Sequence, residues 1–131
     1  MSAENNWTWP PSMDAVVAAP ESHRVLFEND DVRVLEVTIA AGHREPEHTH
    51  RDPSVMIVDG PARIRYYQGD TLTFSSPADT VSAGTRASWM APEDPHSVEN
   101  VDDHPYHAIR VELRTHGRAR PPRLCGCVRR R

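Results

Sequence analysis

The chain has 131 residues, of which 37% are hydrophobic and 26% charged, a length that supports one buried core and not two. Twelve prolines and six glycines exclude long helices along most of the sequence and favour an all-β fold of short strands joined by turns. All 15 basic residues are arginine, which excludes a lysine Schiff base or amine nucleophile.

Charge is distributed unevenly along the chain. Residues 1–112 carry all 19 acidic residues, whereas residues 113–131 carry arginines and no acid. Because the acidic body would repel nucleic acid, we do not expect nucleic acid as a partner. No apolar stretch approaches the roughly 20 residues of a membrane span, and no signal-peptide pattern is present. We therefore expect no membrane partner and a cytoplasmic location.

Three parts are predicted along the chain. Residues 1–22 form an N-terminal arm with one short helix over 12–19, residues 23–115 form a barrel, and residues 116–131 form a flexible tail rich in Arg and Pro. Two tryptophans on the polar arm, Trp7 and Trp9, suggest strand exchange and make a homodimer a candidate assembly. In the tail, Cys125 and Cys127 are interpreted as an exposed thiol pair.

The barrel region is predicted to contain ten short strands. A hairpin of residues 24–28 and 32–39 comes first, with Leu35, Val37 and Ile39 facing inward. The remaining strands are predicted at 44–50, 54–59, 62–67, 71–75, 79–83, 86–91, 95–101 and 105–114. Turn signals every 8–12 residues are typical of a sandwich or a closed barrel.

Three histidines on two predicted strands form the main candidate site. His48 and His50 are two residues apart, so their side chains face the same side of a strand. His96 begins a later strand and offers a third imidazole. Imidazole suits divalent Fe, Zn, Ni, Mn and Cu alike, so the pattern predicts a metal site without selecting the metal.

Two segments resemble the two sequence motifs of the cupin superfamily. They are Gly42, five residues, His48-Thr49-His50 and then Gly60, followed by Pro92 leading to His96-x-x-x-Asn100. The resemblance covers roughly residues 25–113. It implies a small single-domain bacterial cupin, an RmlC-like jelly-roll barrel also called a double-stranded β-helix, with a divalent metal ion bound by the three histidines.

The first motif departs from the family pattern where cupins carry an acidic ligand, because Ser54 and Val55 occupy those positions. The second motif is one residue shorter than usual and lacks its glycine. Three interpretations stay open. In the first, the site is a three-histidine site similar to those of the thiol and diketone dioxygenases among cupins. In the second, Asp52 supplies a fourth ligand. In the third, the imidazoles line a pocket that binds no metal.

Five further residues are candidates for the pocket or for support of the ligands: Arg33, Ser54, Tyr66, Trp89 and His107. Arg33 shares the phase of the inward residues of its strand and is a candidate carboxylate anchor, with a rim ion pair as the alternative. His107 shares the parity of Ile109 and is expected to face the interior. His43 is expected to face solvent, and no role is assigned to His23.

Two classes of function follow. In the first, the chain is a metal-dependent enzyme acting on a small organic acid, as a dioxygenase-like oxidoreductase or as a Lewis-acid isomerase or lyase. In the second, it is a non-catalytic cupin that binds a small molecule or a metal. One fold hosts many functions, so the resemblance alone does not separate the two classes.

Overall fold

The computed structural model describes residues 7–114, and β-strands make up most of this part of the chain. The strands are β1 (His23–Glu28), β2 (Val32–Ile39), β3 (His48–His50), β4 (Ser54–Gly60), β5 (Ile64–Gln68), β6 (Thr71–Ser75), β7 (Arg86–Met90), β8 (Glu93–Asn100) and β9 (Tyr106–Leu113). The predicted all-β fold is confirmed.

Two antiparallel sheets contain these strands. One has the order β1-β2-β9-β4-β7, and the other has the order β3-β8-β5-β6. Within the second sheet, β3 pairs with β8 so that His48 lies opposite His96. The two halves of the sequence pattern therefore meet because two strands far apart in the chain are direct neighbours.

The segment before β1 packs beside β3. A 3₁₀ turn at Pro11–Met13 is followed by α1 (Ala15–Ala18), so the helix is shorter than predicted. Asp14 interrupts it because its backbone is extended, with φ −57° and ψ 142°. The Thr49 hydroxyl donates to the Met13 carbonyl oxygen at 3.2 Å, which joins this segment to β3.

Most predicted strands are present, and the first hairpin agrees closely with the prediction. In its turn, the Asn29 side chain accepts hydrogen bonds from the backbone of Asp31 and Val32. Two predictions fail. Residues 79–83 contain a 3₁₀ turn at Val81–Ala83 in place of a strand, and of the strand predicted at 44–50 only β3 is formed.

The interior combines a small apolar core with many buried polar groups. The core cluster consists of Val37, Ile39, Ala62, Tyr106 and Ala108. The fully or nearly fully buried polar side chains include histidines, glutamates and an arginine, namely His23, Glu45, His48, His50, His96, Arg110 and Glu112. Buried ionisable groups are costly unless they are paired or bind a ligand, so this polar interior marks a site.

Several predictions lie outside the described residues. They concern the first six residues of the arm, the Arg- and Pro-rich tail, and the thiol pair Cys125 and Cys127. In the part of the chain from 7 to 114, no helix has the length and apolar character needed to cross a membrane.

Candidate metal centre

Four imidazoles meet inside the barrel. His23 begins β1, His48 and His50 lie on β3, and His96 lies on β8. The ring centroid of His48 is 4.6 Å from that of His23, 5.0 Å from that of His50 and 4.5 Å from that of His96. All four residues are at most 5% exposed, so the structure brings together the three predicted histidines and adds His23.

Two sets of side chains in this cluster have ligand atoms close enough to share a metal ion. In one set, the atoms of His23, His48 and His50 lie within 4.8 Å of one another, and in the other, those of His50, Glu93 and His96 do. Imidazole nitrogen with a single carboxylate oxygen is a donor set that suits divalent transition metals.

Backbone carbonyl oxygens fix the orientation of two of the rings. His48 Nδ1 donates to the Pro46 carbonyl oxygen at 2.8 Å, and His96 Nδ1 donates to the Asp94 carbonyl oxygen at 2.8 Å. A carbonyl oxygen only accepts, so each ring carries its hydrogen on Nδ1 and keeps a lone pair on Nε2. Both rings are therefore in the tautomer that binds a metal through Nε2.

The other two rings are held in a similar way. His23 Nδ1 donates to the Ala19 carbonyl oxygen at 3.2 Å. His50 Nδ1 donates to Glu112 Oε2 at 3.1 Å, and Glu112 in turn accepts from Arg33 Nε at 2.6 Å. Arg33 also makes two 2.9 Å hydrogen bonds with the carboxylate of Asp14. Asp14, Arg33 and Glu112 thus form a chain of ion pairs that fixes the orientation of the His50 ring.

The surroundings keep the imidazoles neutral. Burial, together with the positive charges of neighbouring groups, lowers the pKa of His48 to about 2 and also lowers that of His50. Burial lowers the pKa of His23 to about 4, and the pKa of His96 falls for the same reason. Neutral imidazole is the form that binds a metal ion.

One buried nitrogen tests whether the site fits a metal. Among the described residues, His48 Nε2 is buried and has no hydrogen-bond partner. An unsatisfied buried acceptor is unfavourable, and native structures contain few of them. A metal ion would use this lone pair, so the donor set and the orphaned nitrogen both fit a divalent ion.

A carboxylate reaches the cluster from β8. Glu93 Oε1 lies 3.5 Å from His96 Nε2 and accepts a 2.7 Å hydrogen bond from the Tyr66 hydroxyl. Its other oxygen accepts a short hydrogen bond from Arg110 Nη2. Burial raises the pKa of Glu93, but Arg110, His96 and Tyr66 outweigh it and hold the pKa below its ordinary value. Glu93 is thus ionised at neutral pH.

A second carboxylate, that of Glu45, borders the cluster. Glu45 Oε2 is 3.6 Å from His48 Nε2, and Oε1 accepts a 2.8 Å hydrogen bond from the Ser22 hydroxyl. Burial raises the pKa of Glu45 to about 7. The two carboxylates thus border different histidines: Glu45 lies beside His48, and Glu93 lies beside His96.

The cluster forms one wall of a cavity of about 320 Å³. The Tyr66 ring stacks on His96, with 4.8 Å between centroids and 5° between planes. Apart from the site groups, the lining is largely apolar and includes Val37, Ile39, Met56, Val58, Ile64, Phe74, Met90 and Val98. A cavity of this size, apolar with a few convergent polar groups, is typical of small-molecule sites.

Several solved structures that superpose on this chain are described as cupins or as double-stranded β-helix proteins. A cupin domain from Bordetella pertussis Tohama I superposes with a TM-score of 0.59 at 15% identity, over 71% of this chain and 92% of that one. A double-stranded β-helix protein from Klebsiella pneumoniae gives 0.52 at 15%, over 88% and 90%, and a cupin-like protein from Thermotoga maritima gives 0.50 at 18%, over 72% and 67%.

This chain has the cupin fold. At the level of sequence, no protein-family model and no curated protein matches it. The expected double-stranded β-helix is therefore confirmed by structure.

The structure shows what surrounds the position at which the first motif lacks an acidic residue. Ser54, at that motif position, is fully buried and accepts a 3.1 Å hydrogen bond from Arg110 Nε. Arg110 then binds Glu93, whose carboxylate borders the histidines. Asp52 is buried as well, but it is in neither of the two metal-compatible sets of the cluster. The carboxylate that borders the histidines thus comes from β8, whereas the family pattern has its acid at the position of Ser54 or Val55.

Two predicted pocket residues lie outside the cavity. Trp89 is 60% exposed, while its neighbours Ser88 and Met90 on β7 line the cavity. His107 is on the outer face of β9, where it binds Asp59 at 2.5 Å and Glu36 at 2.8 Å. Both expectations are corrected. The even-numbered residues of β7 line the cavity and the even-numbered residues of β9 are buried, whereas Trp89 and His107 are odd-numbered and lie on the other face of each strand.

Arg33 also has a different position from the one predicted for a substrate anchor. Its guanidinium is bound by Asp14 and Glu112, and it does not line the cavity. Arg33 binds Glu112, which in turn binds His50 Nδ1. This matches the alternative interpretation of Arg33 as an ion-paired residue, and places it where it helps to orient a candidate metal ligand. Tyr66 lines the cavity, as expected, and His43 is exposed.

Sequence reasoning missed His23, Glu45, Glu93, Arg110 and Glu112. Arg110 and Glu112 were missed because the hydrophobic pattern of β9 assigns Ile109 and Val111 to the interior. In the structure these two residues are only partly buried, and the buried positions are Tyr106, Ala108, Arg110 and Glu112. The one available signal was the unusual number of histidines, eight in 131 residues.

Proposed function

We propose that this cupin binds one divalent metal ion through His48, His50 and His96, and that His23 and Glu93 belong to the same centre. The observation that carries this proposal is the buried Nε2 of His48, which has no hydrogen-bond partner among residues 7–114. It is supported by the Nδ1 hydrogen bonds that leave the remaining ring nitrogens as acceptors.

We further propose that the protein is an oxygenase acting on a small organic acid. A bound redox-active ion such as iron would supply electron transfer to O₂. The chain itself supplies a largely apolar cavity beside the cluster, in which a substrate would be held next to the histidines. Neutral imidazoles and the single ionised carboxylate of Glu93 would leave part of the charge of the ion uncompensated, which favours an oxygen-donor group of the substrate.

A Lewis-acid isomerase or lyase is the second candidate, and Glu45 favours it. This carboxylate lines the cavity and lies 3.6 Å from His48 Nε2, where it could accept a proton from a substrate carbon. A cupin that only binds a small molecule or a metal would need no such group.

Metal analysis and oxygen uptake test the proposal. We expect close to one divalent ion per chain in the wild type, and almost none in the His48→Ala, His50→Ala, His96→Ala triple variant. His107→Ala is the matched control, because this histidine is on the outer face and should leave metal content unchanged. Full metal content in the triple variant would exclude this centre.

For the activity, iron is loaded without oxygen and O₂ consumption is screened with small organic acids. Uptake that requires iron and is lost in His96→Ala supports the oxygenase. Turnover without O₂ that is lost in Glu45→Gln, at unchanged metal content, supports the isomerase or lyase. Tight metal and ligand binding without any turnover would instead indicate a binding protein.

A further inference from the structure

Two arginines line the cavity, and their surroundings differ. Arg110 is 3% exposed and is held by Glu93, Ser54 and, at 4.0 Å, Glu112. Arg86 is exposed, and among residues 7–114 it takes part in no ion pair. The charge of Arg110 is thus compensated within the protein, whereas that of Arg86 is available to a ligand.

The position of Arg86 is at the open side of the cavity. On β7, Arg86, Ser88 and Met90 alternate onto the face that lines the cavity, and Arg86 lies opposite Val58 of β4. Burial raises the pKa of the Tyr106 hydroxyl to about 12, and the charge of Arg86 acts in the opposite direction. The guanidinium is therefore near the interior but still in contact with solvent.

The part of the cavity beside the histidines is unfavourable for a second carboxylate. Glu45 and Glu93 both line the cavity there, and Glu112 accepts a hydrogen bond from His50. These carboxylates offset the charge of an ion bound at the histidines, and Arg110, the arginine that lines this part of the cavity, already binds Glu93. The rest of the lining is largely aliphatic and aromatic.

We propose that the ligand of this cupin is an amphipathic monoanion whose carboxylate binds Arg86 at the mouth, while an uncharged apolar body extends inward to the histidine cluster. This deepens the proposed function by naming its substrate class and rests on it. An apolar protein cavity of 150 Å³ holds benzene, so about 320 Å³ accommodates a body of about a dozen non-hydrogen atoms.

Calorimetric titration with three probes tests this assignment: 4-phenylbutyrate, its neutral amide 4-phenylbutanamide, and citrate. The wild type should bind the phenylbutyrate at least fivefold more tightly than the amide, a preference that decreases with added salt because Arg86 is exposed. Citrate should bind more weakly than either, since it has no apolar body and carries extra charge.

Arg86→Gln should abolish the preference for the carboxylate over the amide and leave amide binding within about twofold. Arg86→Lys should retain most of the preference for the carboxylate, because it keeps the positive charge. The matched control is Arg65→Gln, because Arg65 is an exposed arginine on β5 that does not line the cavity. An unchanged preference in Arg86→Gln, equal binding of citrate, or no binding of any probe would each overturn the assignment.

Each titration is performed on metal-free and on zinc-loaded protein, with metal content measured separately. If no metal binds but the Arg86-dependent preference persists, the proposed metal function fails and the ligand assignment stands. If the metal binds at the histidines and the preference is absent, the ligand assignment fails and the metal centre stands.

Discussion

His23 enters the cluster from a strand whose other residues are exposed. Its ring is 4.6 Å from that of His48 and 5.3 Å from that of His50, and its Nδ1 hydrogen is already used by the Ala19 carbonyl oxygen. These contacts leave Nε2 as the atom that a metal would bind.

We therefore expect His23→Gln to weaken zinc binding by at least tenfold, measured by competition with a chromophoric chelator. His43→Gln serves as the control, since His43 is exposed. Equal zinc affinity in both variants would show that His23 packs against the centre without contributing to it.

The side chain of Asn100 joins three parts of the backbone. Its Nδ2 donates to the carbonyl oxygens of Ile39 and His104, and its Oδ1 accepts from the backbone N–H of Asp102. Asn100 is fully buried, its bond to Ile39 is buried and its other two bonds are partly buried, so Asn100→Ala leaves these backbone groups without their partner.

We expect Asn100→Ala to lower the free energy of unfolding by about 2–4 kcal/mol in urea titrations, because one buried and two partly buried hydrogen bonds are lost. Asn29→Ala removes two side-chain-to-backbone hydrogen bonds from an exposed turn and should lower the free energy of unfolding by about 1 kcal/mol or less. Comparable losses in the two variants would contradict the importance of burial at residue 100.

At the scale of elements, alternation predicts β2 well and β9 badly, for a physical reason. The inward residues of β2 are apolar, so Leu35, Val37 and Ile39 are buried as expected. The inward residues of β9 include Arg110 and Glu112, which a rule based on hydrophobicity assigns to solvent. Where the interior holds a polar site, the apolar pattern no longer marks the inward face.

The same reasoning explains which site residues were predictable. The spacing of His48 and His50 is local to one strand, so the sequence alone indicates that they share a face. The approach of His23 and Glu93 depends on how β1 and β8 pack around β3, and no local pattern carries that information. The motif resemblance supplied the expectation that His96 belongs to the same site as His48 and His50.

On the outer face, His107 links β9 to β2 and β4 through Glu36 and Asp59. Hydrogen bonds that His107 donates to Glu36 and Asp59 raise its pKa above the ordinary value of 6.5. A group with a raised pKa in the folded state stabilises the fold fully below its unfolded pKa, and this stabilisation is lost as the pH rises through the folded value.

His107→Gln should therefore lower the thermal midpoint at pH 5.5, by about 1–3 °C for such a partly exposed pair, and less above pH 8.5. Differential scanning calorimetry across this range measures the difference. A destabilisation that grows with pH would contradict the ion-pair role of His107.

At the scale of the whole molecule, the tail is predicted from composition to be separable from the barrel. Residues 116–131 contain arginines, two adjacent prolines and few apolar side chains. Truncation after Thr115 should leave the metal content and the thermal midpoint unchanged, measured by elemental analysis and calorimetry. A large loss of stability would mean that the tail packs against the barrel.

Removal of the proposed metal ion should affect the whole barrel, because its candidate ligands join distant parts of the chain. His23, His48, His50 and His96 come from β1, β3 and β8, which belong to both sheets. Without an ion, four neutral imidazoles share a buried space in which His48 Nε2 has no partner among the described residues. Binding to the folded state alone stabilises it by about 2.7 kcal/mol at a free metal concentration of 100 times the Kd.

Chelation should accordingly lower the thermal midpoint of the wild type by several degrees, and added zinc should restore it. In the His48→Ala, His50→Ala, His96→Ala triple variant, chelator and zinc should both have little effect, because three of the four candidate histidine ligands are gone. A midpoint that responds to zinc equally in the wild type and the triple variant would place the stabilising ion elsewhere. A wild type indifferent to both chelator and zinc would mean that the buried imidazoles stabilise the barrel without any metal.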